Sequence, residues 1–138
     1  MMPRKDRVLR MLLFASGPMN LGGAISFAPP FPVFRRLLGI PEADPVYLWV
    51  LCAWILAFGV SYVWQAWTCH FNRGLLAMGA FGKLTFAASL VAHGVQRPHR
   101  FQAISGALPD LALAIAFTVW LCASDANVVR PHRHDVRQ

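Results

Sequence analysis

Residues 46–67 read VYLWVLCAWILAFGVSYVWQAW, a run of 22 residues without a single charge. At a rise of 1.5 Å per residue, a helix of this length covers about 30 Å, the thickness of the hydrocarbon core of a bilayer. Aromatic side chains with a polar edge, typical of segments that meet two membrane interfaces, lie at both ends: Tyr47, Trp49, Tyr62, Trp64 and Trp67. The stretch therefore predicts a membrane-spanning helix.

Three further blocks of similar length are also apolar. They run from about residue 8 to 28, from 74 to 95 and from 101 to 124, and a polar tail follows at 125–138. Of the 138 residues, 57% are hydrophobic and 14% charged, and a soluble domain of this size cannot bury so much apolar surface. The predicted fold class is all-α, with residues 1–138 forming a single domain, a polytopic bundle of four transmembrane helices.

The link between the first two blocks carries helix signals of its own. Residues 32–38 read PVFRRLL and predict a short interfacial helix that Gly39 closes. Asp44 then precedes Pro45, the order expected for an N-cap residue followed by the first residue of a helix. The second spanning helix is therefore expected to start at this pair.

Lysine and arginine are distributed unevenly between the two sets of helix ends. One set, formed by the N-terminus, the link between the second and third blocks and the C-terminal tail, holds Arg4, Lys5, Arg7, Arg10, Arg73, Arg130, Arg133 and Arg137; the other set holds Arg35, Arg36, Arg97 and Arg100. Because positive residues favour the cytoplasmic side, both termini are predicted to be cytoplasmic. The predicted location is a cell membrane, the bacterial inner membrane, which the chain crosses several times.

The excess of positive charge, 13 Lys and Arg against 6 Asp and Glu, would in a soluble protein suggest nucleic-acid binding. Here most of the arginines flank apolar blocks, where they fix topology and contact anionic headgroups. No segment outside the blocks is long enough to contact nucleic acid as a folded element. The lipid bilayer is therefore the expected partner, and nucleic acid is not.

Three polar residues interrupt the apolar blocks at about the same depth: Asn20, Lys83 and Asp110. Most residues three and four positions away are small: Ser16, Gly17, Gly23 and Ala24 around Asn20, Gly79, Ala80 and Ala87 around Lys83, and Gly106, Ala107 and Ala114 around Asp110. Such residues allow helices to pack closely. Ionisable groups in hydrocarbon are costly and usually face the interior of a bundle. The pattern predicts a buried ion pair between Lys83 and Asp110, with Asn20 hydrogen-bonded nearby.

Two questions about this polar layer stay open at the level of sequence. A buried pair can fix the register of a small bundle, or it can form a binding or catalytic centre. In addition, Pro109 and Asp110 resemble the first turn of a helix, where an acidic side chain is favoured by the helix dipole. In that alternative the fourth helix would begin there and extend towards Val129.

Aromatic residues of the second block offer a candidate cavity lining for an apolar small molecule such as a quinone or lipid: Trp54, Phe58, Tyr62 and Trp64. Lipid-facing and interfacial positions are the alternative explanation for most of them. Two sets of residues carry metal-ligating side chains: His93 and His99 with Glu42 and Asp44, which could form a metal or proton site, and His132 and His134 with Cys69 and His70. Solvated interfacial histidines and a mobile tail explain both sets. Neither a metal nor a cofactor is predicted, and the three cysteines, with no paired spacing, imply no disulfide.

The runs Phe58-Gly59-Val60-Ser61-Tyr62 and Asn72-Arg73-Gly74-Leu75-Leu76, with Gly79, Gly82-Lys83 and Pro109-Asp110, resemble small bacterial four-helix membrane proteins of the DoxX-like kind. The resemblance covers most of the chain from the first helix onward. Some members of that group resemble subunits associated with quinone-linked oxidation of sulfur compounds. The resemblance therefore implies an accessory role beside a redox enzyme.

Three functions follow from the sequence. The first is a non-catalytic accessory subunit or scaffold of a membrane-associated, quinone-linked redox system, in contact with a membrane protein partner or a second copy of itself. The second is a small intramembrane isomerase or cyclase in which Asp110 donates a proton to an apolar substrate and Lys83 adjusts the proton affinity of that carboxyl. The third is a proton-linked carrier that uses the same pair as a relay.

Overall fold

The computed structural model describes residues 2–37, 42–94 and 100–125, except for the side chains of Arg100, Ala103 and Asp125. The described residues form five helices and no strand: α1 (Arg4–Phe27), α2 (Pro32–Leu37), α3 (Pro45–Thr68), α4 (Arg73–Gly94) and α5 (Arg100–Asp125). The four predicted spanning helices are confirmed to within a few residues at each end, and so is the short helix between the first two. Gly39 and the tail beyond Asp125 lie outside the described residues.

Local capping explains where α3 and α4 begin. The side chain of Asp44 accepts a 2.8 Å hydrogen bond from the backbone nitrogen of Val46, and Pro45 is the first helical residue, as predicted. Cys69 ends α3 in the left-handed conformation, with a φ of 56°. Asn72 then accepts a 3.0 Å hydrogen bond from the nitrogen of Leu75, which satisfies a free donor in the first turn of α4.

The end of α1 is capped by a residue from α2. Arg35 is only 8% exposed, and its guanidinium donates hydrogen bonds of 3.0 and 2.7 Å to the carbonyls of Phe27 and Ala28. These carbonyls are among those that a helix leaves without an internal partner. Arg35 thus holds α2 against the end of α1. From the sequence, Arg35 was expected only to contribute one of the positive charges that set the membrane orientation.

The four long helices alternate in direction, so the start of α1 lies beside the ends of α3 and α5. Arg10 donates a 2.9 Å hydrogen bond to the carbonyl of Ala66 near the end of α3. At the end of α5, the indole of Trp120 donates a 3.0 Å hydrogen bond to Asp6. Hereafter this end of the bundle is called the N-terminal side, and the end that carries α2 is called the α2 side.

α5 is one continuous helix that passes through Pro109. The alternative in which Pro109 and Asp110 open the fourth spanning helix is therefore wrong. A proline in a helix interior removes one backbone donor and leaves the carbonyl four residues earlier, that of Ser105, without its helical partner. The helix nevertheless begins at Arg100, which places Asp110 in its interior rather than in its first turn.

The helices pack as two pairs, α1 with α3 and α4 with α5. On the N-terminal side the pairs are joined by one apolar cluster with members from all four long helices: Leu9, Leu13, Tyr62, Ala66, Leu76, Ala80, Leu113 and Phe117. On the α2 side each pair has a separate cluster, Ala24, Phe27, Ala28, Leu48 and Cys52 in one and Ala87, Leu90 and Ala107 in the other. The bundle is therefore closed by one shared cluster on the N-terminal side, whereas on the α2 side two clusters are bridged by the partly buried Phe86.

The outer surface of the bundle is apolar. In the described part of the chain, four segments are long and apolar enough to cross a membrane: Arg4–Phe27, Pro45–Thr68, Arg73–Gly94 and Ile104–Ser124. Only 22% to 33% of the residues in an apolar 18-residue stretch of each segment are buried within the protein, so lipid must cover most of their apolar surface. The chain is therefore a multi-pass membrane protein whose solvent is the bilayer.

Candidate functional site

The predicted ion pair lies at the centre of the bundle. Lys83 Nζ on α4 donates a 2.6 Å hydrogen bond to Asp110 Oδ1 on α5. The side chain of Lys83 is 9% exposed and that of Asp110 is 19% exposed. Since charged groups inside a membrane protein are costly without a partner, each of these residues stabilises the other. Between them they carry no net charge when both are ionised.

Asn20 connects this pair to the other half of the bundle. Its carbonyl oxygen accepts a 3.3 Å hydrogen bond from Lys83 Nζ, and its amide nitrogen donates a 3.0 Å hydrogen bond to the backbone carbonyl of Ile55 on α3. Gly59 allows this arrangement, because a Cβ atom at that position would lie 2.9 Å from the Cβ of Asn20. The predicted layer of Asn20, Lys83 and Asp110 is therefore present, and it bridges α1, α4 and α5.

Tyr62 closes the site on the N-terminal side. Its ring is 1% exposed and packs edge-on against Phe117, with the ring centroids 5.5 Å apart. Its hydroxyl lies against Gly79, where a Cβ atom would overlap the hydroxyl oxygen. Gly79 is four residues before Lys83, so Tyr62 lies about one helical turn from the ion pair, towards the N-terminal side.

A cavity of about 350 Å³ lies between the two helix pairs, and it is here called the central cavity. All four long helices contribute to its lining, which includes Asn20, Phe27, Leu51, Trp54, Phe58, Tyr62, Met78, Gly79, Gly82, Lys83, Phe86, Leu90, Gly106, Pro109 and Asp110. The polar layer lies near its N-terminal-side end. Beyond that layer the walls are largely apolar, and the hydroxyl of Ser26, which also lines the cavity, donates a 2.8 Å hydrogen bond to the carbonyl of Gly22. The T-shaped contact of Phe27 with Phe86, at 5.8 Å between centroids, joins the helix pairs there.

The central cavity is open on the side between α3 and α4. Among the described residues, these two helices approach each other less closely than the members of either packed pair. Trp54 on α3 and Met78 on α4 line the cavity but are 62% and 63% exposed. Gly82 is also exposed, and a Cβ atom added there would meet no other atom within 4 Å. Because the outer surface at this level is lipid-facing, the opening leads to the bilayer.

Trp64 does not belong to this site. Its side chain is 67% exposed and lines a separate shallow groove on the outer face of α1 and α3. Helical geometry explains the difference, because Trp64 is two residues from Tyr62 and such neighbours point to different faces. Of the four aromatic residues expected to line a cavity, the structure brings Trp54, Phe58 and Tyr62 together and places Trp64 outside.

Groups suited to a metal are absent from the described residues. In residues 2–37, 42–94 and 100–124, no three His, Cys, Asp or Glu side chains lie close enough to hold one ion. His99, His132 and His134 of the predicted alternatives lie outside the described part of the chain. The thiol of Cys52 is buried and donates a 3.1 Å hydrogen bond to the carbonyl of Ala24, whereas Cys69 and Cys122 are exposed and free.

Three residues that line the central cavity were not predicted as site residues from the sequence: Met78, Gly82 and Phe86. A signal for two of the cavity positions was nevertheless present. Gly79 and Gly82 are three residues apart on α4, so they leave a gap on one face of that helix. Small residues at this spacing usually indicate close helix contact, whereas here one of them abuts Tyr62 and the other borders the opening.

Chemically, the central cavity combines an apolar volume with a compact set of polar groups. An ammonium, a carboxylate and a phenol lie at one end of a largely apolar chamber. Such an arrangement suits a molecule with an apolar body and one polar group, because apolar walls supply area and a few polar groups supply orientation. Comparisons with protein-family models, with curated proteins and with solved structures find no match for this chain.

Proposed function

We propose that this protein binds a small, largely apolar molecule from the bilayer in the central cavity, and that it does so as an accessory component of a membrane-associated system. The observation that carries the proposal is the 350 Å³ cavity that reaches the Lys83–Asp110 pair. A pair that served only to fix register would be expected to be packed on all sides. The Asp110 side chain is instead 19% exposed, and it lines that cavity.

The direction of entry supports a ligand carried by lipid. The opening between α3 and α4 faces the apolar outer surface, so a molecule dissolved in the bilayer reaches the cavity without crossing water. Trp54 and Met78 border that route; the flexible thioether of Met78 adapts to varied apolar shapes, and the indole of Trp54 supplies a large apolar surface. Binding sites in membrane bundles commonly lie between helices in this manner.

The test uses two exposed glycines with matched surroundings. Gly22 and Gly82 both have open space where a Cβ would be, but only Gly82 lines the central cavity. Gly82→Leu is expected to obstruct the opening, whereas Gly22→Leu adds the same side chain to the surface of α1. Both changes should raise helix stability by a similar amount, about 1 kcal/mol, because glycine is a poor helix former.

Binding is measured by photolabelling of the purified protein in lipid nanodiscs with an alkanol that carries a diazirine. Labelling of Phe86, which lines the cavity, is divided by labelling of Phe81, which is 72% exposed to lipid. This ratio should fall at least fivefold in Gly82→Leu and stay unchanged in Gly22→Leu. An equal ratio in the two variants would refute binding in the central cavity.

A second function is favoured by the same cavity, because it gives an apolar substrate access to Asp110. In an intramembrane isomerase, Asp110 would enter the cycle in its protonated form and would donate that proton to one alkene carbon. The resulting carboxylate would then remove a proton from the carbon on the far side, so that the double bond moves and the carboxyl is restored. Lys83, at 2.6 Å, would stabilise the carboxylate formed between these steps.

Deuterium exchange separates this enzyme from a binding protein. With an unsaturated probe in heavy water, an isomerase incorporates deuterium into the recovered probe, and Asp110→Asn should abolish the incorporation. A binding protein returns the probe unlabelled at every enzyme concentration. Recovery of unlabelled probe from a preparation that photolabels at Phe86 would therefore exclude the isomerase and retain the binding function.

The cellular setting is inferred from charge and resemblance. The N-terminal side carries Arg4, Lys5, Arg7, Arg10 and Arg73, against Arg35, Arg36 and Arg100 among the described residues of the α2 side. This bias supports an orientation with both termini in the cytoplasm, and the resemblance to small bacterial proteins supports a bacterial inner membrane location. The resemblance to DoxX-like proteins supports a place beside a quinone-linked redox enzyme, as a subunit that contacts a membrane protein partner or a second copy of itself.

A further inference from the structure

The polar layer contains hydrogen-bonding groups that have no partner among the described residues of the protein. A lysine ammonium has three donors, and Lys83 directs two of them to Asn20 Oδ1 at 3.3 Å and to Asp110 Oδ1 at 2.6 Å. The amide nitrogen of Asn20 uses one of its two donors in the bond to the carbonyl of Ile55. One donor of Lys83 therefore remains for another acceptor.

Two further groups in the same place lack partners. Over the described ranges 2–37, 42–94 and 100–125, no hydrogen bond reaches the second carboxylate oxygen of Asp110 or the hydroxyl of Tyr62. Both residues line the central cavity. An acceptor, a donor and a hydroxyl able to serve as either thus face one chamber, and polar groups left unpaired in apolar surroundings are destabilising.

We propose that the ligand of the central cavity is a neutral apolar molecule with a hydroxyl group, an alcohol or a phenol. Its O–H donates to the free oxygen of Asp110, and its oxygen accepts from Lys83 or from the Tyr62 hydroxyl. One hydroxyl group therefore pairs with a donor and an acceptor at the same time. This assignment rests on the proposed function, because it presupposes that the central cavity is a binding site.

Other polar groups fit this arrangement less well. A ketone accepts from Lys83 or Tyr62 but has no donor for Asp110. A carboxylate brings an additional negative charge next to Asp110, in a site where the ion pair is already balanced. A hydrocarbon leaves all of these polar groups unpaired. Specificity for a hydroxyl therefore arises from the unpaired groups that each competitor leaves behind.

The cavity also fixes the orientation of such a ligand. The polar layer and Tyr62 lie towards its N-terminal-side end, whereas the walls towards the α2 side are formed by Leu51, Phe86 and Leu90. The hydroxyl therefore points towards the N-terminal side, and the apolar body lies between the two helix pairs. Trp54 lines the cavity where it opens to lipid, whereas Met78 precedes Gly79 on α4 and borders the opening at the level of Tyr62.

The experiment compares four diazirine probes of equal chain length that end in a hydroxyl, a methyl ketone, a carboxylate or a methyl group. Each labels the full chain in nanodiscs, and labelling of Phe86 is divided by that of lipid-exposed Phe81. The hydroxyl probe should exceed each of the other three by about fivefold, roughly the factor that one hydrogen bond contributes. Tyr62→Phe, which retains the ring packing, should reduce this preference by at least twofold.

The possible failures are distinguishable through Gly82→Leu. Four probes that label Phe86 equally, and that all lose labelling in Gly82→Leu, would overturn the hydroxyl assignment and leave binding in the cavity intact. A ketone probe that matches the hydroxyl probe would overturn the assignment in the same way. Labelling that is the same for all probes and indifferent to Gly82→Leu would overturn the proposed function as well.

Discussion

Lys83 Nζ and Asp110 Oδ1 are 2.6 Å apart in the interior of the bundle, on two helices that pack closely against each other. The pair spans α4 and α5, and the bond from Lys83 to Asn20 extends it to α1. The polar layer therefore links the α4–α5 pair to the α1–α3 pair near the N-terminal-side end of the central cavity. Its loss is expected to affect both the association of the pairs and the chemistry of the cavity.

Removing one member of the ion pair should destabilise the protein more than removing both. Lys83→Met leaves an unpaired carboxylate, and Asp110→Leu leaves an unpaired ammonium, each costing about 3–5 kcal/mol of unfolding free energy. The double variant leaves no buried charge and should lie within about 1 kcal/mol of the original protein. The measurement is unfolding in mixed micelles of increasing dodecyl sulfate content, followed by circular dichroism.

The double variant also separates structure from function. A stable double variant that has lost cavity labelling would support a binding role for the pair. Full labelling in that variant would show that the pair only stabilises the bundle. If the double variant were as unstable as either single variant, the predicted coupling between Lys83 and Asp110 would be wrong.

The close contact of α1 with α3 should not tolerate a methyl group at Gly59. A Cβ there would lie 2.9 Å from the Cβ of Asn20, so one helix must shift. Gly59→Ala is expected to cost about 1–3 kcal/mol, the usual range for overpacking. Gly22→Ala is the control, because its Cβ would meet nothing within 4 Å and alanine favours helix. Equal stability of the two variants in the same unfolding assay would contradict this packing.

Arg35 should matter more than its neighbour Arg36. Arg35→Lys keeps the charge but cannot reproduce both hydrogen bonds from the guanidinium to the carbonyls of Phe27 and Ala28. A loss of about 1.5–3 kcal/mol is expected, as for hydrogen bonds from charged donors. Arg36→Lys alters only an exposed ion pair with Glu42 at 3.7 Å and should change stability by less than about 0.5 kcal/mol. Indistinguishable unfolding curves for Arg35→Lys and Arg36→Lys would contradict the proposed capping of α1 by Arg35.

The inferred orientation, with both termini in the cytoplasm, can be tested by chemical labelling of a native cysteine. Cys69 is exposed in the link between α3 and α4, on the N-terminal side. In a Cys122→Ser background, a membrane-impermeant maleimide added to intact cells should leave Cys69 unlabelled and should label it after permeabilisation. Adding Arg36→Cys supplies a position on the opposite side that should react in intact cells. The reverse pattern would mean that both termini face outward.

Much of this architecture is predictable because a single helix carries the necessary information. Helix length, aromatic ends and the Asp44–Pro45 start are local properties, and the structure confirms the helices they predict. The inward orientation of Asn20, Lys83 and Asp110 also follows from one helix at a time, since small neighbours share their faces. Because the three residues lie at a similar depth in their helices, they are also the residues expected to pair across the bundle.

The course of α5 through Pro109 was not decided by local signals. Pro109 and Asp110 carry the features of a helix start, and a helix that begins at Arg100 instead leaves one carbonyl without its helical partner. Packing against α4 compensates for this, because Ala107 packs with Ala87 and Leu90 of that helix. Tertiary contacts thus outweighed a local preference of the chain.

The sequence alone determined the class of the protein, its four spans and the presence of a polar layer, because hydropathy, helix length and periodicity are properties of individual segments. Only the tertiary structure decided that this layer borders an open cavity. Small residues at Gly79 and Gly82 predict close contact as readily as empty space, and the distance between two helices depends on what each presents to the other. Tyr62 occupies the gap at Gly79, nothing occupies the gap at Gly82, and that difference separates a packed core from a chamber open to lipid.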